Sequence, residues 1–398
     1  MRILPRRPPR PPSREVGVLS AVAFSVAVGY GLVAPVIPRF ARSFGVGRKE
    51  AGLVLSVFAL MRIAAALGAG NLVNRIGERL VLALGIGIVG VSSALAGASQ
   101  SYVQLVVLRG AGGVGSAMFS VSAMSIVLRS TPQAARGRAV GLFSGSFLLG
   151  GIFGPAVGST VAHLGLRAPF FIYAGTLIVA GSIGLAMLPR TRLADAPVAE
   201  GEPSGLSLWA ALRTRAYRAA LVTNLADHWA ALGVRNALVP LFVVEVLHAS
   251  DGWAYAGFFV VAGVNGLVLL PAGRWADERG RKPVMITGLV VLTSALVLLA
   301  AVETLPFYLL SMGLFGIGSG MLDVAPAAVV GDIAGGRSGP TVAAYQMAGD
   351  GGAVLGPVLA GALADSVSYG AAFGVTAGVL GVAVLLAIMA PETRRVAA

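Results

Sequence analysis

The chain of 398 residues is both strongly apolar and strongly basic. Hydrophobic residues make up 56% of it and charged residues only 12%, whereas a soluble domain carries about a quarter charged residues. This composition argues against a soluble globular protein and excludes an intrinsically disordered chain, which needs low hydrophobicity. The formal net charge is +13. Because the chain has no cysteine, disulfides and cysteine-ligated metal sites are excluded as well.

Twelve apolar stretches are long enough to cross a bilayer as helices, which takes about 20 residues each. They lie at residues 16–38, 51–73, 80–98, 103–128, 140–163, 169–188, 219–241, 254–273, 283–302, 306–330, 341–363 and 371–390. A transmembrane β-barrel would show shorter segments of alternating polar and apolar residues instead. Since runs such as 80–98 do not alternate, the sequence predicts an all-α membrane protein with 12 transmembrane helices.

The basic residues are divided unevenly between the two sides of these predicted spans. If the N terminus is cytoplasmic, 22 of the 30 Lys and Arg residues fall in the tails and inner loops and five fall outside. The positive-inside rule therefore predicts that both termini are cytoplasmic. The first outer loop departs from the rule, because it carries Arg39, Arg42, Arg48 and Lys49. Basic residues scattered over short loops also argue against a nucleic-acid partner.

An internal repeat divides the chain into two halves. Glycines, prolines and basic residues recur at an offset of 202 or 203 residues, as in Gly113 and Gly316 or Pro38 and Pro240. Two similar six-helix halves with a substrate site between them are typical of secondary transporters. The sequence predicts a disordered basic cytoplasmic tail at 1–15, a six-helix bundle at 16–188, a central cytoplasmic loop at 189–217, a second six-helix bundle at 218–391 and a cytoplasmic tail at 392–398.

Two loop motifs in register resemble a signature of the major facilitator superfamily, G-x-L-A-D-R-x-G-R-R. The second copy, between spans 8 and 9, contributes Gly273, Asp277, Arg279, Gly280, Arg281 and Lys282. The first copy, between spans 2 and 3, contributes Gly70, Asn74, Arg75, Gly77 and Arg79. In this first copy Asn74 replaces the acid of the signature and Glu78 replaces a base. The resemblance implies two pseudo-symmetric six-helix bundles (the major facilitator fold) and cytoplasmic gating loops for alternating access. A purely topological role of the loop charges is the alternative.

Two motifs within spans resemble signatures of the drug–proton antiporters in the same superfamily. Residues 109–117, RGAGGVGSA, resemble a fourth-helix signature implicated there in proton transfer. Residues 150–159, GGIFGPAVGS, resemble the fifth-helix signature, with Ser159 in place of a glycine. The shared helix-5 and helix-11 packing motif comprises Gly150, Gly154, Pro155, Gly158, Gly356 and Pro357. Glycines four residues apart let a neighbouring helix approach closely, and the resemblance implies export. Close packing with no bearing on transport direction is the alternative.

Seven ionisable residues lie well inside the predicted spans, where such residues mark functional sites by default. They are Arg62, Arg109, Asp227, His228, Arg235, Asp323 and Asp350. None lies in spans 3, 6, 9 or 12, which the resemblance implies to face lipid. Helical spacing predicts that Asn224, Asp227, His228 and Arg235 share one face of span 7. Asp227 is the first candidate for a coupled proton, before Asp350, Asp323 and His228. Static ion pairs of Arg62 or Arg109 with an acid are the alternative.

These features predict a proton-coupled secondary transporter that exports small amphipathic or drug-like molecules by alternating access. Another transport mode of the superfamily, metabolite uptake by symport or uniport, is the first alternative, and a membrane receptor or enzyme is the second. The sequence has no Gly-Lys-Ser/Thr or His-Glu-x-x-His motif, so we expect neither an enzyme nor a pump driven by ATP. We expect a monomer in a bacterial inner membrane that needs no cofactor or metal and uses the proton gradient.

Overall fold

The computed structural model describes residues 14–131, 136–188, 206–334 and 339–394, and these residues are almost entirely helical. The predicted N-terminal tail before Arg14, most of the predicted central loop and the chain beyond Arg394 lie outside the described residues. The first half consists of α1 (Arg14–Val33), α2 (Ile37–Arg42), α3 (Arg48–Ile76), α4 (Glu78–Ala98), α5 (Tyr102–Arg129), α6 (Arg136–Val161) and α7 (Ala168–Met187), with a short 3₁₀ turn at Ala162–Leu164.

The second half repeats this order. It consists of α8 (Leu208–Arg213), α9 (Arg215–His228), a π-helix at Trp229–Asn236, α10 (Val239–Glu245), α11 (Asp251–Arg279), α12 (Arg281–Ala301), α13 (Leu305–Leu322), α14 (Ala325–Ala334), α15 (Gly339–Ser366) and α16 (Tyr369–Met389). Helices α3 and α11 have the same length of 29 residues. Gly77 and Gly280 join each of them to the next helix with φ values of 91° and 111°, which favour glycine. The glycines of the two loop motifs therefore make the same sharp turn.

Ten helices in the described part of the chain are long and apolar enough to cross a membrane. Helix α3 is an eleventh if its two parts, which meet at a 52° bend between Ala66 and Gly68, count as one span. The predicted seventh span at 219–241 is not one continuous α-helix, because the π-helix separates α9 from α10. Six polar side chains in this stretch also lower its hydropathy: Thr223, Asn224, Asp227, His228, Arg235 and Asn236. The all-helical class is confirmed, and the twelve-helix arrangement is consistent with these segments.

Helix packing follows the internal repeat. In the first half α1 packs on α6 and α7, α3 on α5, and α4 on both α5 and α7. The equivalent helices of the second half make the equivalent contacts, and the halves meet where α3 packs on α15 and α6 on α11. The repeat makes α3 equivalent to α11 and α6 equivalent to α15, so the contact of α3 with α15 is equivalent to the contact of α11 with α6. The halves are therefore related by a pseudo-twofold axis. Helices from both halves line the space between them, where a substrate site of this architecture lies.

Two glycines of the packing motif lie where helix backbones approach each other closely. A Cβ atom at Gly154 of α6 would lie 2.6 Å from the carbonyl oxygen of Val28 and 2.8 Å from the Cα of Gly31, both in α1. A Cβ atom at Gly356 of α15 would lie 3.2 Å from the Cα of Gly233 in the π-helix. Both contacts join the equivalent pair of helices in each half. A side chain at either glycine would have to push backbone apart.

Candidate functional site

Asp227 is the most buried of the three acids in the spans, with 7% of its surface exposed. The Ser319 hydroxyl of α13 donates to its Oδ1 atom at 3.4 Å, and the His228 Nδ1 atom lies 4.0 Å from its Oδ2 atom. Among the described residues no arginine lies within ion-pairing distance of Asp227. A buried charge is costly unless it is paired, so this carboxylate is the one whose charge is least compensated by its neighbours.

The other two acids have stronger partners. Asp350 of α15 forms an ion pair with Arg62 of α3, and this pair joins the two halves of the molecule. The Asn265 amide of α11 donates to Asp323 Oδ2 at 2.8 Å. The Asp323 side chain, which follows α13 directly, is exposed, so it faces open space rather than packed core. Arg62 therefore has an acid partner in this conformation, and whether the pair is static or takes part in transport stays a prediction.

The polar residues of span 7 face two different neighbours instead of one. The Asn224 amide donates to the carbonyl oxygen of Tyr345 in α15 at 2.7 Å, whereas Asp227 contacts α13. His228, four residues after Asn224, also lies against α15, because a Cβ atom at Gly349 would be 3.1 Å from its ring. Consecutive helical residues point about 100° apart, so Asp227 and His228 point towards different helices. The side chains of Asn224, Asp227 and His228 nevertheless lie within about 100° of one another around α9, so they share one broad face that contacts both α13 and α15.

Arg109 and Arg235 contact aromatic rings. The Arg235 guanidinium in the π-helix lies 5.8 Å from the Phe258 ring centre and 5.6 Å from that of Phe315. Its Nε atom donates to Asn236 Oδ1 at 3.2 Å. The Arg109 guanidinium lies 4.5 Å from the Phe58 ring centre, and its Nε and Nη2 atoms have no hydrogen-bond partner among the described residues. Aromatic faces attract both cations, and the alternative of an ion pair with an acid is not seen for Arg109 in the described chain.

The second gating loop binds residues of its own half. The Arg281 Nη1 atom donates to Asp277 Oδ1 at 2.6 Å, and its Nε atom lies 3.4 Å from Asp332 Oδ2. The backbone N–H groups of Arg281 and Lys282 donate to the Glu392 carboxylate at 2.9 and 3.0 Å. The Arg279 side chain is exposed. In this conformation the charged side chains therefore hold the ends of helices within the second bundle together.

The first gating loop has an ion pair that the sequence comparison with the family signature did not reveal. Glu78, the acid in place of a base, lies 3.0 Å from the Arg129 guanidinium at the end of α5. Both residues are 203 positions before Arg281 and Asp332, so the same ion pair occurs in both halves with its charges reversed. The Arg79 side chain donates to the carbonyl oxygen of Leu185, whereas Asn74 and Arg75 are exposed. The repeat offset was the signal that could have identified this pair.

The arginines of the first outer loop depart from the positive-inside rule, and the sequence alone does not identify their partners. Arg39 pairs with Asp251, Arg42 with Glu245, and Arg48 with Glu245 and Asp365, all in the second half. Helix α3 runs from this end of the molecule, at Arg48, to the gating loops at the other end. We call the end that carries residues 39–50, 245–251 and 365–369 the closed end.

Comparison with known proteins agrees with this architecture. A family model described as the Major Facilitator Superfamily matches residues 19–268 and 229–398. Multidrug resistance protein 1 of Bacillus subtilis (strain 168) is 25% identical over 349 residues, which cover 86% of this chain and 88% of the relative. The Quinolone resistance protein NorA of Staphylococcus aureus is 26% identical over 165 residues, or 42% of each chain. The sequence relationship with the first protein thus extends over both halves.

Solved structures share the fold at low sequence identity. A bacterial homologue of the human lysosomal transporter Spinster, in an inward-facing and occupied conformation, has a TM-score of 0.76 at 16% identity, covering 96% of this chain and 97% of its own. The nucleoside transporter NupG has a TM-score of 0.77 at 14% identity, covering 94% and 99%. The human organic anion transporter MFSD10 has a TM-score of 0.70 at 18% identity, covering 95% and 100%. The chain belongs to the major facilitator superfamily, a family of membrane transporters and not of enzymes.

Proposed function

We propose that this protein is a proton-coupled exporter of small amphipathic or drug-like molecules and that it works by alternating access. The observation that carries the proposal is Asp227, a buried carboxylate without an arginine partner in the middle of the seventh span. The relatives named for multidrug and quinolone resistance support export as the direction. The protein acts as a monomer in a bacterial inner membrane, with both termini cytoplasmic and with the proton gradient in place of a cofactor.

The described conformation corresponds to the state that opens to the cytoplasm. Ion pairs join the halves at the closed end, which lies outside if the termini are inside. The gating loop of the second half binds its own bundle at the other end. A structural neighbour with a TM-score of 0.76 is inward-facing. On reorientation the closed end separates, and the gating loops approach the opposite bundle.

Coupling follows from the different surroundings of the three acids. Asp350 is compensated by Arg62, and Asp323 accepts a hydrogen bond from Asn265. Asp227 has the Ser319 hydroxyl and the His228 imidazole within 4.0 Å, and the Arg235 charge acts on it from beyond ion-pairing distance. A proton on its carboxyl group therefore removes a weakly compensated buried charge. A substrate that brings positive charge close to Asp227 favours the ionised carboxylate and releases the proton. Proton and substrate thereby compete for one carboxylate, which is the requirement for antiport.

The test is the substitution Asp227→Asn in an efflux-deficient host exposed to a panel of toxic compounds, with and without a protonophore. We expect the variant to reach the membrane in normal amounts but to lose the protection that the protonophore abolishes in the parent. Glu303→Gln is the matched control, because Glu303 is an exposed acid outside the spans and its loss should leave protection intact. Undiminished protonophore-sensitive protection in Asp227→Asn would refute the assignment.

Inside-out vesicles with an imposed pH gradient decide the direction of transport. For a compound that the host assay identifies, an antiporter accumulates it inside such vesicles when their lumen is acidic. Entry that stops at equal concentrations whatever the pH gradient would indicate uniport, and movement in the same direction as the proton would indicate symport. Either result would overturn proton-coupled export while leaving the membership of the superfamily untouched.

A further inference from the structure

Oppositely charged residues from the two halves meet at the closed end. The first half contributes three arginines to this contact and the second half contributes three acids and a tyrosine, and together they form a group that we call the clasp: Arg39, Arg42, Arg48, Glu245, Asp251, Asp365 and Tyr369. The ion pairs that join the two halves span more than 190 positions of the sequence. The clasp is therefore a contact between the two six-helix bundles and not a local feature of one loop.

Arg48 and Glu245 form the centre of the clasp. The Arg48 Nη2 atom lies 2.6 Å from Glu245 Oε2, and the Tyr369 hydroxyl donates to the same oxygen at 2.8 Å. The Arg48 guanidinium also lies 4.7 Å from the centre of the Tyr369 ring. Burial raises the pKa of the Glu245 carboxyl, but the hydrogen bonds from Tyr369 and Arg48 and the charges of Arg48 and Arg42 outweigh it and hold this pKa below its usual range.

A carboxylate of the second half also caps a helix of the first half. The backbone N–H groups of Arg48 and Lys49 donate to Asp365 at 3.1 and 2.8 Å, at the first turn of α3. The preceding residue, Gly47, has no side chain that could cap these groups. A helix N terminus favours negative charge, yet α3 begins with an arginine. Asp365 adds an acid from the other bundle to the Glu50 carboxylate that already lies in this turn, and it accepts these two hydrogen bonds only while the halves are in contact.

The clasp joins two copies of one repeated loop with reversed charges. Arg42 and Glu245 are the last residues of the equivalent short helices α2 and α10. Arg48 and Asp251 are the first residues of the equivalent long helices α3 and α11. At both equivalent positions the first half carries a base and the second half an acid. The arginines that break the positive-inside rule thus have a reason to be there, because each faces an acid.

We propose that the clasp is the lock that selects the closed-end conformation and that it separates as one unit when this end opens. Its ion pairs are only partly exposed, with 25% of both the Arg48 and the Glu245 side chain accessible. Several charges that share partners stabilise a contact more than isolated surface pairs do. Separation exposes all of them to water at once and removes the cap of α3. The lock rests on the alternating access proposed above, but not on proton coupling or on any particular substrate.

The natural absence of cysteine makes a labelling experiment possible. Ser56 is 3% exposed on α3, where its hydroxyl donates to the Val354 carbonyl oxygen of α15 at 2.6 Å. The substitution Ser56→Cys places a thiol in the interface behind the clasp. Its reaction rate with a fluorescent maleimide, measured on purified protein in lipid nanodiscs without substrate or gradient, reports opening of the closed end. A failure of proton coupling would not affect this readout.

We expect Glu245→Gln to accelerate the labelling of this thiol about tenfold, because it removes the negative charge shared by two ion pairs, those with Arg42 and Arg48. Lys49→Gln is the matched control: its side chain is exposed and has no ion pair among the described residues, so the rate should stay within about twofold of the parent. Labelling of the Glu245→Gln protein at the parent rate would overturn the proposal.

A charge exchange distinguishes a lock from a general loss of stability. Arg39 pairs with Asp251 alone among the ion pairs of the clasp. Arg39→Asp and Asp251→Arg should each accelerate labelling, and the double variant should return it to within about twofold of the parent. Equal acceleration in the two single variants and in the double variant would show that the charges do not act as a pair, and the proposal would fail.

Discussion

The ion pair between Arg62 and Asp350 gives the sharpest quantitative prediction, because it crosses between the halves near the candidate proton site. The side chains are 39% and 21% exposed. Removing one partner of a fully buried pair costs about 3–5 kcal/mol, whereas exposed pairs contribute about 0–1 kcal/mol. For this intermediate exposure we expect Arg62→Gln and Asp350→Asn each to lower the free energy of unfolding by about 2 kcal/mol, since each leaves an unpaired charge.

The double variant should recover most of this loss, because it leaves no unpaired charge in the span. We expect its stability to lie within about 1 kcal/mol of the parent, which corresponds to a coupling energy of about 3 kcal/mol between the two positions. Thermal unfolding of all four proteins in one detergent measures the cycle. Additive losses in the double variant would show that the two side chains do not stabilise each other and would refute the reasoning.

The same variants separate Asp350 from Asp227 as the carrier of the proton. If Asp350 serves only to compensate Arg62, the double variant should retain protonophore-sensitive export in the efflux-deficient host. Loss of coupling in the double variant, together with normal coupling in Arg62→Gln, would identify Asp350 as the residue that carries the coupled proton. The stability cycle and the transport assay therefore give independent answers about one pair of residues.

Three further predictions concern packing, pH and the gating loops. Gly154→Ala should cost about 1–3 kcal/mol in unfolding experiments through overpacking, whereas Gly151→Ala, with nothing within 4 Å of its added Cβ, should be tolerated. The lowered pKa of Glu245 keeps this carboxylate charged down to that value. The ratio of the labelling rates of the Glu245→Gln and Glu245 proteins should therefore stay constant from about pH 8 to about pH 6, since the thiolate fraction changes equally in both. Glu78→Arg should lower the thermal unfolding temperature, and adding Arg129→Glu should restore it; equal losses in the single and double variants would contradict the pairing.

The helices and the repeat could be predicted from the sequence because hydrophobicity, glycine and proline specify them locally. A run of apolar residues determines a span whatever surrounds it, and Gly77 and Gly280 determine sharp turns through their own backbone freedom. The family motifs added the arrangement of the two bundles. The exact domain boundaries stay predictions, since the residues around the central loop lie outside the described chain.

The irregular seventh span could not be predicted in the same way. A π-helix has hydrogen bonds from i to i+5, and neither hydropathy nor helical spacing records where that change begins. Its presence after His228 alters the direction of later side chains such as Arg235, which lies beside two phenylalanine rings. The partners of the buried charges depend on contacts between distant helices. Spacing along one helix identified these residues as candidates but left their partners undetermined.

Several equivalent positions of the two halves carry opposite charges, and this difference between the halves stabilises the contact between them. A residue on a pseudo-twofold axis faces its own equivalent, so identical charges there would repel each other across the interface. Arg42 and Glu245 occupy such positions and lie 3.3 Å apart, which turns repulsion into attraction. The same reversal, from Glu78 and Arg129 to Arg281 and Asp332, keeps one ion pair in each loop motif. In this conformation these pairs therefore join helices within one bundle, whereas the charges of the closed end join the two bundles.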